Sequence, residues 1–169
     1  FIALEGISPV RAADPESISI GVIPFEEIQL TAEKFKGVVE VIEKATGKKV
    51  EWHFPTSYAA LIEAQRRGFV HIGYYGPESY VLAHKVSGGN IEAFAQIVWG
   101  GGAYRKKQDG YHSYLIVKSD SPYKSVEDLK GKTLALVNPT STSGNLVPRV
   151  ELGQKFGTKI DKYFGKVFY

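Results

Sequence analysis

Two hydrophobic periods alternate along the chain and predict strands and helices in turn. Residues 17–23 alternate polar or small side chains with β-branched ones, which is the period of a strand. The apolar residues of 35–42 recur at helical spacing, and Gly47 stands where a helix C-cap is expected. The chain is therefore predicted to open with a strand followed by a helix.

The same alternation continues to the end of the chain. Further strands are predicted at 50–54, 69–75, 91–99, 111–118, 133–137 and 167–169. Further helices are predicted to begin at Thr56 or Ser57, at Pro77 and at Ser125, and to run from about Asn145 to Lys155. Strand–helix alternation of this kind predicts an α/β fold with a mostly parallel sheet and helices on both faces.

Polar residues follow several of the predicted strands. In open parallel sheets, ligands bind beyond the carboxyl ends of the strands. Four segments should therefore open on one edge or cleft, namely 24–26, 56–58, 75–77 and 140–144.

The most informative of these segments is the hydroxyl turn, residues 140–144, which reads Thr-Ser-Thr-Ser-Gly. Hydroxyl groups donate hydrogen bonds to anions, and the helix start that follows adds unpaired N–H groups and the positive end of the helix dipole. Gly144 is expected to let a ligand approach the backbone closely. The turn therefore suits a tetrahedral oxyanion. The competing interpretation is a helix cap with spare hydroxyls, which is the commoner use of Ser and Thr before a helix.

Two tyrosines at predicted strand or helix boundaries are the next binding candidates. Tyr58 and Tyr75 can each direct a hydroxyl into a cleft and hold a ring against an apolar substituent. Packing at the edge of the core is the alternative for both. Because Tyr74 precedes Tyr75 in a predicted strand, the two side chains should point in opposite directions, with one of them in the core.

Composition removes several classes of function. The 169 residues carry a formal net charge of +3, spread along the chain, which is too little to indicate nucleic-acid binding. The absence of cysteine excludes thiol catalysis and cysteine-based zinc sites. The four histidines lack metal-ligand spacing, and the hydroxyl turn lacks the lysine of a Walker A loop. Since no nucleophile–base pair can be assigned, we expect neither an enzyme nor a cofactor.

The N-terminal residues 1–13 differ in character from the rest. The apolar start at 1–4 and the small-x-small pattern Val10-Arg11-Ala12 are typical of the end of a secretory signal peptide. This interpretation predicts an extracytoplasmic protein. The alternative is a disordered N-terminus.

Four stretches carry a family resemblance. They are Ser-Tyr-Ala-Ala-Leu-Ile-Glu-Ala at 57–64, Gly-Tyr-Tyr-Gly-Pro-Glu-Ser-Tyr at 73–80, Ser-Val-Glu-Asp-Leu-Lys-Gly-Lys at 125–132, and Ser-Thr-Ser-Gly with Leu-Val-Pro at 141–148. Through them the chain resembles the phosphate, phosphite and phosphonate class of periplasmic binding proteins. The last stretch is the most specific, whereas Leu-Lys-Gly-Lys is shared with many binding proteins.

The resemblance implies a type II periplasmic-binding-protein fold, in which two lobes close around a ligand like a hinged clamp. It implies capture of a small phosphorus oxyanion by a monomeric protein, and delivery to the membrane permease of an ABC transporter. The ligand-binding residues that it implies are Tyr58, Tyr75, Ser141, Thr142 and Ser143.

The chain also departs from the family pattern. It is much shorter than a full member, so that 17–110 is expected to form the first lobe and 111–169 the hinge strand and a truncated second lobe. His71 stands where members carry an acidic residue, and we expect it to matter for packing only. Two other functions stay open, namely a binding protein of the same fold for another organic solute and the sensor domain of a signalling protein.

Overall fold

Two small parallel sheets organise the described part of the chain. A computed structural model describes residues 14–23, 27–98 and 110–169. Its strands are β1 (Ser17–Val22), β2 (Lys49–His53), β3 (Ile72–Tyr74), β4 (Thr133–Ala135) and β5 (Lys166–Phe168). Its helices are α1 (Ile28–Lys34), α2 (Lys36–Thr46), α3 (Tyr58–Arg66), α4 (Pro77–Val86), α5 (Val147–Phe156) and α6 (Ile160–Tyr163). A 3-10 turn spans Glu127–Leu129, and a π-helical turn spans Thr142–Leu146.

The first sheet has the order β2-β1-β3, and both of its pairings are parallel. Ile20 lies opposite Trp52 on one side and Ile72 on the other. Because β1 is the central strand, its last residues are buried, and Val22 is fully inaccessible. Phe35, at the junction of α1 and α2, packs edge-on against Tyr74 with ring centroids 5.3 Å apart. This contact closes the core on one face of the sheet.

Helix α3 lies close against the sheet at a glycine. A Cβ atom at Gly21 would overlap the side chain of Leu61 and would lie 2.9 Å from Val70. Leu61 and Val70 are both buried. A glycine in the central strand therefore allows α3 to approach the sheet closely.

The second sheet pairs β4 with β5, again in parallel, with Leu134 opposite Val167. Its core is formed by the buried side chains of Leu134, Leu136, Leu152, Ile160 and Phe164. Among the described residues, every strand pairing is thus parallel, as the alternation of elements predicts, and the pairings fall into two sheets.

Local capping chemistry places the helix ends where the sequence predicts them. The Ser57 hydroxyl accepts the N–H of Ala60 at 3.1 Å and caps α3. Gly47 ends α2 in the left-handed conformation, at φ 69°. Ser125 and Asp128 cap each other's backbone N–H groups, which confirms the predicted capping box.

Two of the predicted strands are not seen in the described part of the chain. Residues 91–98 and 111–118 have no strand pairing within the described part of the chain, and the first segment ends at the limit of a described range. Their β-branched and aromatic residues match the strand pattern, but a strand also needs a backbone partner. In the second segment, Ile116 is 86% exposed and Tyr114 76% exposed.

Other differences are smaller. The helix predicted around 35–42 is divided at Phe35 into α1 and α2. The helix predicted from Asn145 begins earlier, as the π-helical turn, and α6 was not predicted. The predicted signal-peptide segment 1–13 and the candidate segment 24–26 lie outside the described residues.

Candidate functional site

A cavity of about 610 Å³ lies between the start of α4 and the hydroxyl turn. Residues 71–77 and Tyr80 form one wall, and 91–97 contribute a second. Thr142 and Ser143 of the hydroxyl turn form part of the opposite side. The cavity therefore brings together two of the four segments that were expected to share a cleft.

Thr142 makes a hydrogen bond that joins the two sides. Its Oγ1 accepts the backbone N–H of Glu78 at 2.9 Å. Helix α4 has Gly76 at its N-cap and no side-chain cap of its own, so Thr142 supplies the missing acceptor from the second-sheet side. A Cβ atom at position 76 would lie 3.1 Å from Thr142 Oγ1, and glycine there leaves room for the hydroxyl.

This hydrogen bond has a chemical consequence. A hydroxyl group has one proton and two lone pairs. Because the Thr142 oxygen receives the Glu78 N–H, its own proton points elsewhere, and Thr142 lines the cavity. The N–H also polarises the hydroxyl and strengthens it as a donor. Thr142 is thus prepared to donate to an acceptor in the cavity.

Ser143 presents a second donor. It is half-buried, lines the cavity, and its hydroxyl makes no hydrogen bond with the described part of the chain. Its carbonyl oxygen accepts the hydroxyl of Ser113 at 2.6 Å. That bond fixes the backbone of Ser143 and leaves its side chain available to a ligand.

The other two hydroxyls stabilise the turn itself. Ser141 is 5% exposed, and its Oγ accepts the N–H of Gly144 at 3.1 Å. Thr140 donates its hydroxyl to Asn138 Oδ1 at 2.9 Å. One pair of hydroxyls, of Thr140 and Ser141, thus stabilises the turn, and the other pair, of Thr142 and Ser143, lines the cavity.

The structure requires glycine at position 144 for packing of the turn, and not for the close approach of a ligand that the sequence suggested. A Cβ atom there would overlap the side chain of Val137, and the N–H of Val137 donates to the Gly144 carbonyl at 3.0 Å. Glycine is therefore needed so that the turn can pack on the chain that leaves β4.

Tyr75 lines the cavity with its hydroxyl already engaged. The O–H donates to Gln65 Oε1 at 2.8 Å, and the ring packs against a cluster that contains Ile62 and Ile91. Burial raises the pKa of Tyr75 to about 12, so the hydroxyl stays neutral at ordinary pH. Tyr75 thus contributes a ring to the wall while its hydroxyl is held by Gln65.

Tyr58 and Tyr74 lie nearby. Tyr74 packs against Phe35 in the first core, so Tyr74 and Tyr75 contact different clusters, and both are half-buried. Burial raises the pKa of Tyr74, and the neighbouring Tyr111 and Tyr58 add to the shift. Tyr58 begins α3 and is half-buried, but it is not among the residues that line the cavity.

Three contributors to the site were missed from the sequence. Ser113 lies in a segment that was predicted as a strand, and Gln65 lies in a helix whose polar face carries no distinguishing pattern. His71 lines the cavity, and its Nδ1 accepts the N–H of Ser19 at 2.9 Å, as a carboxylate would. No motif marks these residues, because each acts through a contact with a distant part of the chain.

The described residues contain no cluster of three His, Cys, Asp or Glu side chains that could hold a metal ion. In the same ranges, every helix is too short or too polar to cross a membrane.

Comparison with known proteins places the chain in a family. The family model for "ABC transporter, phosphonate, periplasmic substrate-binding protein" matches residues 20–169. A phosphate-import protein, PhnD, of Mycolicibacterium smegmatis is 32% identical over 140 residues, which are 82% of this chain and 42% of that protein. A phosphonates-binding periplasmic protein of Escherichia coli is 37% identical over 147 residues, 84% of this chain and 41% of that protein.

Solved structures show the same likeness. A binding protein component of an ABC phosphonate transporter from Pseudomonas aeruginosa superposes with a TM-score of 0.74 at 31% identity, over 92% of this chain and 50% of that one. PhnD1 from Prochlorococcus marinus, solved in complex with methylphosphonate, superposes with a TM-score of 0.59 at 18% identity, over 92% of this chain and 56% of that one, which shows the fold alone. The chain spans about two fifths of the length of the curated relatives it matches.

Proposed function

The chain belongs to the periplasmic phosphonate substrate-binding proteins of ABC transporters, and from this premise we propose that it captures a small phosphorus oxyanion for import. The ligand is a phosphonate, phosphite or phosphate. The protein acts by binding and release, since a substrate-binding transport protein leaves the chemistry of its cargo unchanged.

The observation that carries the proposal is the hydrogen bond from Glu78 N–H to Thr142 Oγ1. It turns the Thr142 hydroxyl into a donor beside Ser143, whose hydroxyl has no described partner. Neutral donors that converge on one cavity favour an anion with several acceptor oxygens. The start of the helix after the turn adds a positive dipole end to the same side.

The expected affinity follows from the number of donors. A hydrogen bond to a charged group contributes roughly 1.5–3 kcal/mol, so two of them, from Thr142 and Ser143, supply about 3–6 kcal/mol. That range corresponds to binding between roughly millimolar and tens of micromolar before ordering costs are subtracted. Tighter capture needs a second surface over the ligand, and the wall at 71–77 supplies one on the α4 side.

We assign five residues to ligand binding. Thr142 and Ser143 donate to the phosphorus oxygens, and Ser141 holds the turn in shape while keeping its own hydroxyl proton. Tyr75 forms an aromatic wall for the substituent on phosphorus. Tyr58, at the start of α3, completes the aromatic side when the cavity narrows around the ligand.

Partners and location follow from the family. We propose that the protein works outside the cytoplasm as a monomer and passes its ligand to the permease of an ABC transporter. The two sheets support a division into a first lobe at 17–110 and a hinge with part of a second lobe at 111–169.

Calorimetry of the full chain tests this function. Titration with methylphosphonate, phosphite and phosphate should give saturable heat, and taurine, a sulfonate, should give none. Heat from taurine alone would assign the fold to another organic solute. No heat from any phosphorus oxyanion would refute the proposal.

A further inference from the structure

The hydroxyl turn is held from behind by the side chain of Asn145, which is 9% exposed. Its Nδ2 donates to the carbonyl of Pro139 at 2.7 Å. Its Oδ1 accepts two hydrogen bonds, from Arg149 Nε at 2.8 Å and from the Tyr169 hydroxyl at 3.0 Å. Both ends of the amide are thus satisfied, which fixes its orientation.

Arg149 connects this amide to two further elements. Its Nη1 donates to Asp161 in α6 at 2.6 Å, and its Nη2 donates to the Tyr169 oxygen at 3.2 Å. The donors run in one direction, from the Arg149 guanidinium through Tyr169 and Asn145 to the carbonyl of Pro139. A directed chain of this kind is cooperative and has no competing arrangement of protons.

The position of the network relative to the turn gives it a role. Pro139 lies three residues before Thr142, and Asn145 lies three residues after it. The Asn145–Pro139 bond therefore ties the two ends of the hydroxyl turn together. This hydrogen bond restrains the backbone of the turn and therefore the orientation of the Thr142 and Ser143 hydroxyls towards the cavity.

We propose that Asn145 and Arg149 are positioning residues for anion capture, an inference that rests on the proposed function of the hydroxyl turn. Neither side chain lines the cavity, so both act through the turn and not on the ligand. Preorganised donors bind a ligand more tightly, because the binding free energy is not reduced by the entropic cost of ordering them. Loss of the network should leave the hydroxyls present but poorly placed.

Two substitutions separate positioning from bulk stability. Asn145→Asp keeps the acceptors for Arg149 but loses the donor to Pro139. Arg149→Lys keeps a cation beside Asp161 but lacks the fork that also reaches Asn145. Lys155→Gln is the matched control, because it removes an ion pair of 2.8 Å to Glu127 from the same helix without touching the turn.

The readouts are the dissociation constant for methylphosphonate and amide hydrogen exchange in 140–146 without ligand, both on the full chain well below its melting temperature. Asn145→Asp and Arg149→Lys should each weaken binding about three- to tenfold, which is the effect of about one hydrogen bond. Amide exchange in 140–146 should be faster in both variants and unchanged in Lys155→Gln.

The results separate this inference from the proposed function. Unchanged binding in both variants, with intact binding by the wild type, would overturn the positioning role. If the wild type binds no phosphorus oxyanion, the proposed function fails, and hydrogen exchange alone then decides whether the network holds the turn. Unchanged exchange in 140–146 in both variants would overturn the inference in that case as well.

Discussion

The backbone N–H of Glu78 and the hydroxyl oxygen of Thr142 lie 2.9 Å apart, although 64 residues separate them in the sequence. One hydrogen bond thereby joins the start of α4 to the hydroxyl turn. It caps a helix that lacks its own side-chain cap and directs the Thr142 proton away from that helix. The same contact serves the fold and the candidate site.

Thr142→Val should weaken ligand binding by about 1–3 kcal/mol, because it removes a charged hydrogen bond at nearly constant volume. It should also lower the free energy of unfolding, since the Glu78 N–H loses its acceptor. Calorimetry with methylphosphonate and thermal unfolding measure the two effects. Thr46→Val removes a hydroxyl that bonds within α2 and should leave affinity unchanged. Equal affinity in Thr142→Val would place the site elsewhere.

Ser141→Ala should mainly affect stability, whereas Ser143→Ala should mainly affect ligand binding. Ser141 is buried and caps the Gly144 N–H, so its loss should reduce the free energy of unfolding by roughly 0.5–2 kcal/mol. Ser143 has no described partner for its hydroxyl, so its loss should weaken binding by about 1–3 kcal/mol with little change in stability. Denaturant unfolding and calorimetry on both variants measure this. The reverse pattern would exchange the assigned roles.

Gly144→Ala should be destabilising by about 1–3 kcal/mol, the range for overpacking, because its Cβ would overlap Val137. Both Cγ2 and Cβ of Val137 would overlap the added Cβ, so only Val137→Gly removes both clashing atoms. The double variant Gly144→Ala with Val137→Gly should be less destabilised than the sum of the two single variants, which a double-mutant cycle from thermal unfolding would measure. Strictly additive effects would contradict the proposed clash.

Tyr75 should make stability fall at alkaline pH. Burial raises its pKa from 10.0 to about 12 in the folded protein. The unfolded state therefore releases the proton first, so this contribution is complete below about pH 10 and is lost as the pH rises towards 12. The difference in denaturation midpoint between wild type and Tyr75→Phe, followed from pH 8 to pH 12, isolates this group. A difference that does not change with pH would contradict the shift.

Much of the local structure is predictable from the sequence. Ser57 caps α3, Pro77 begins α4, and Gly47 ends α2, because each of these signals acts within one turn of its own helix. The hydroxyl turn is also recognisable from the sequence, because its four hydroxyl residues are consecutive and need no knowledge of the fold to be identified.

Long-range pairing is what the sequence leaves open. The pattern of 111–118 is that of a strand, yet no described strand pairs with it. The Tyr75 hydroxyl donates a hydrogen bond to Gln65 Oε1, and no motif around either residue predicts that bond. Both outcomes depend on where a distant segment comes to lie.

The sequence by itself determined the α/β class, the helix caps and the presence of a hydroxyl-rich turn before a helix, because these depend on neighbours within a few residues. Only the tertiary structure decided that Ser141 caps the turn while Thr142 turns towards α4. The physical reason is that a hydroxyl can be satisfied equally well by its own backbone or by a distant group. The choice between them is made when helix α4 packs against the hydroxyl turn.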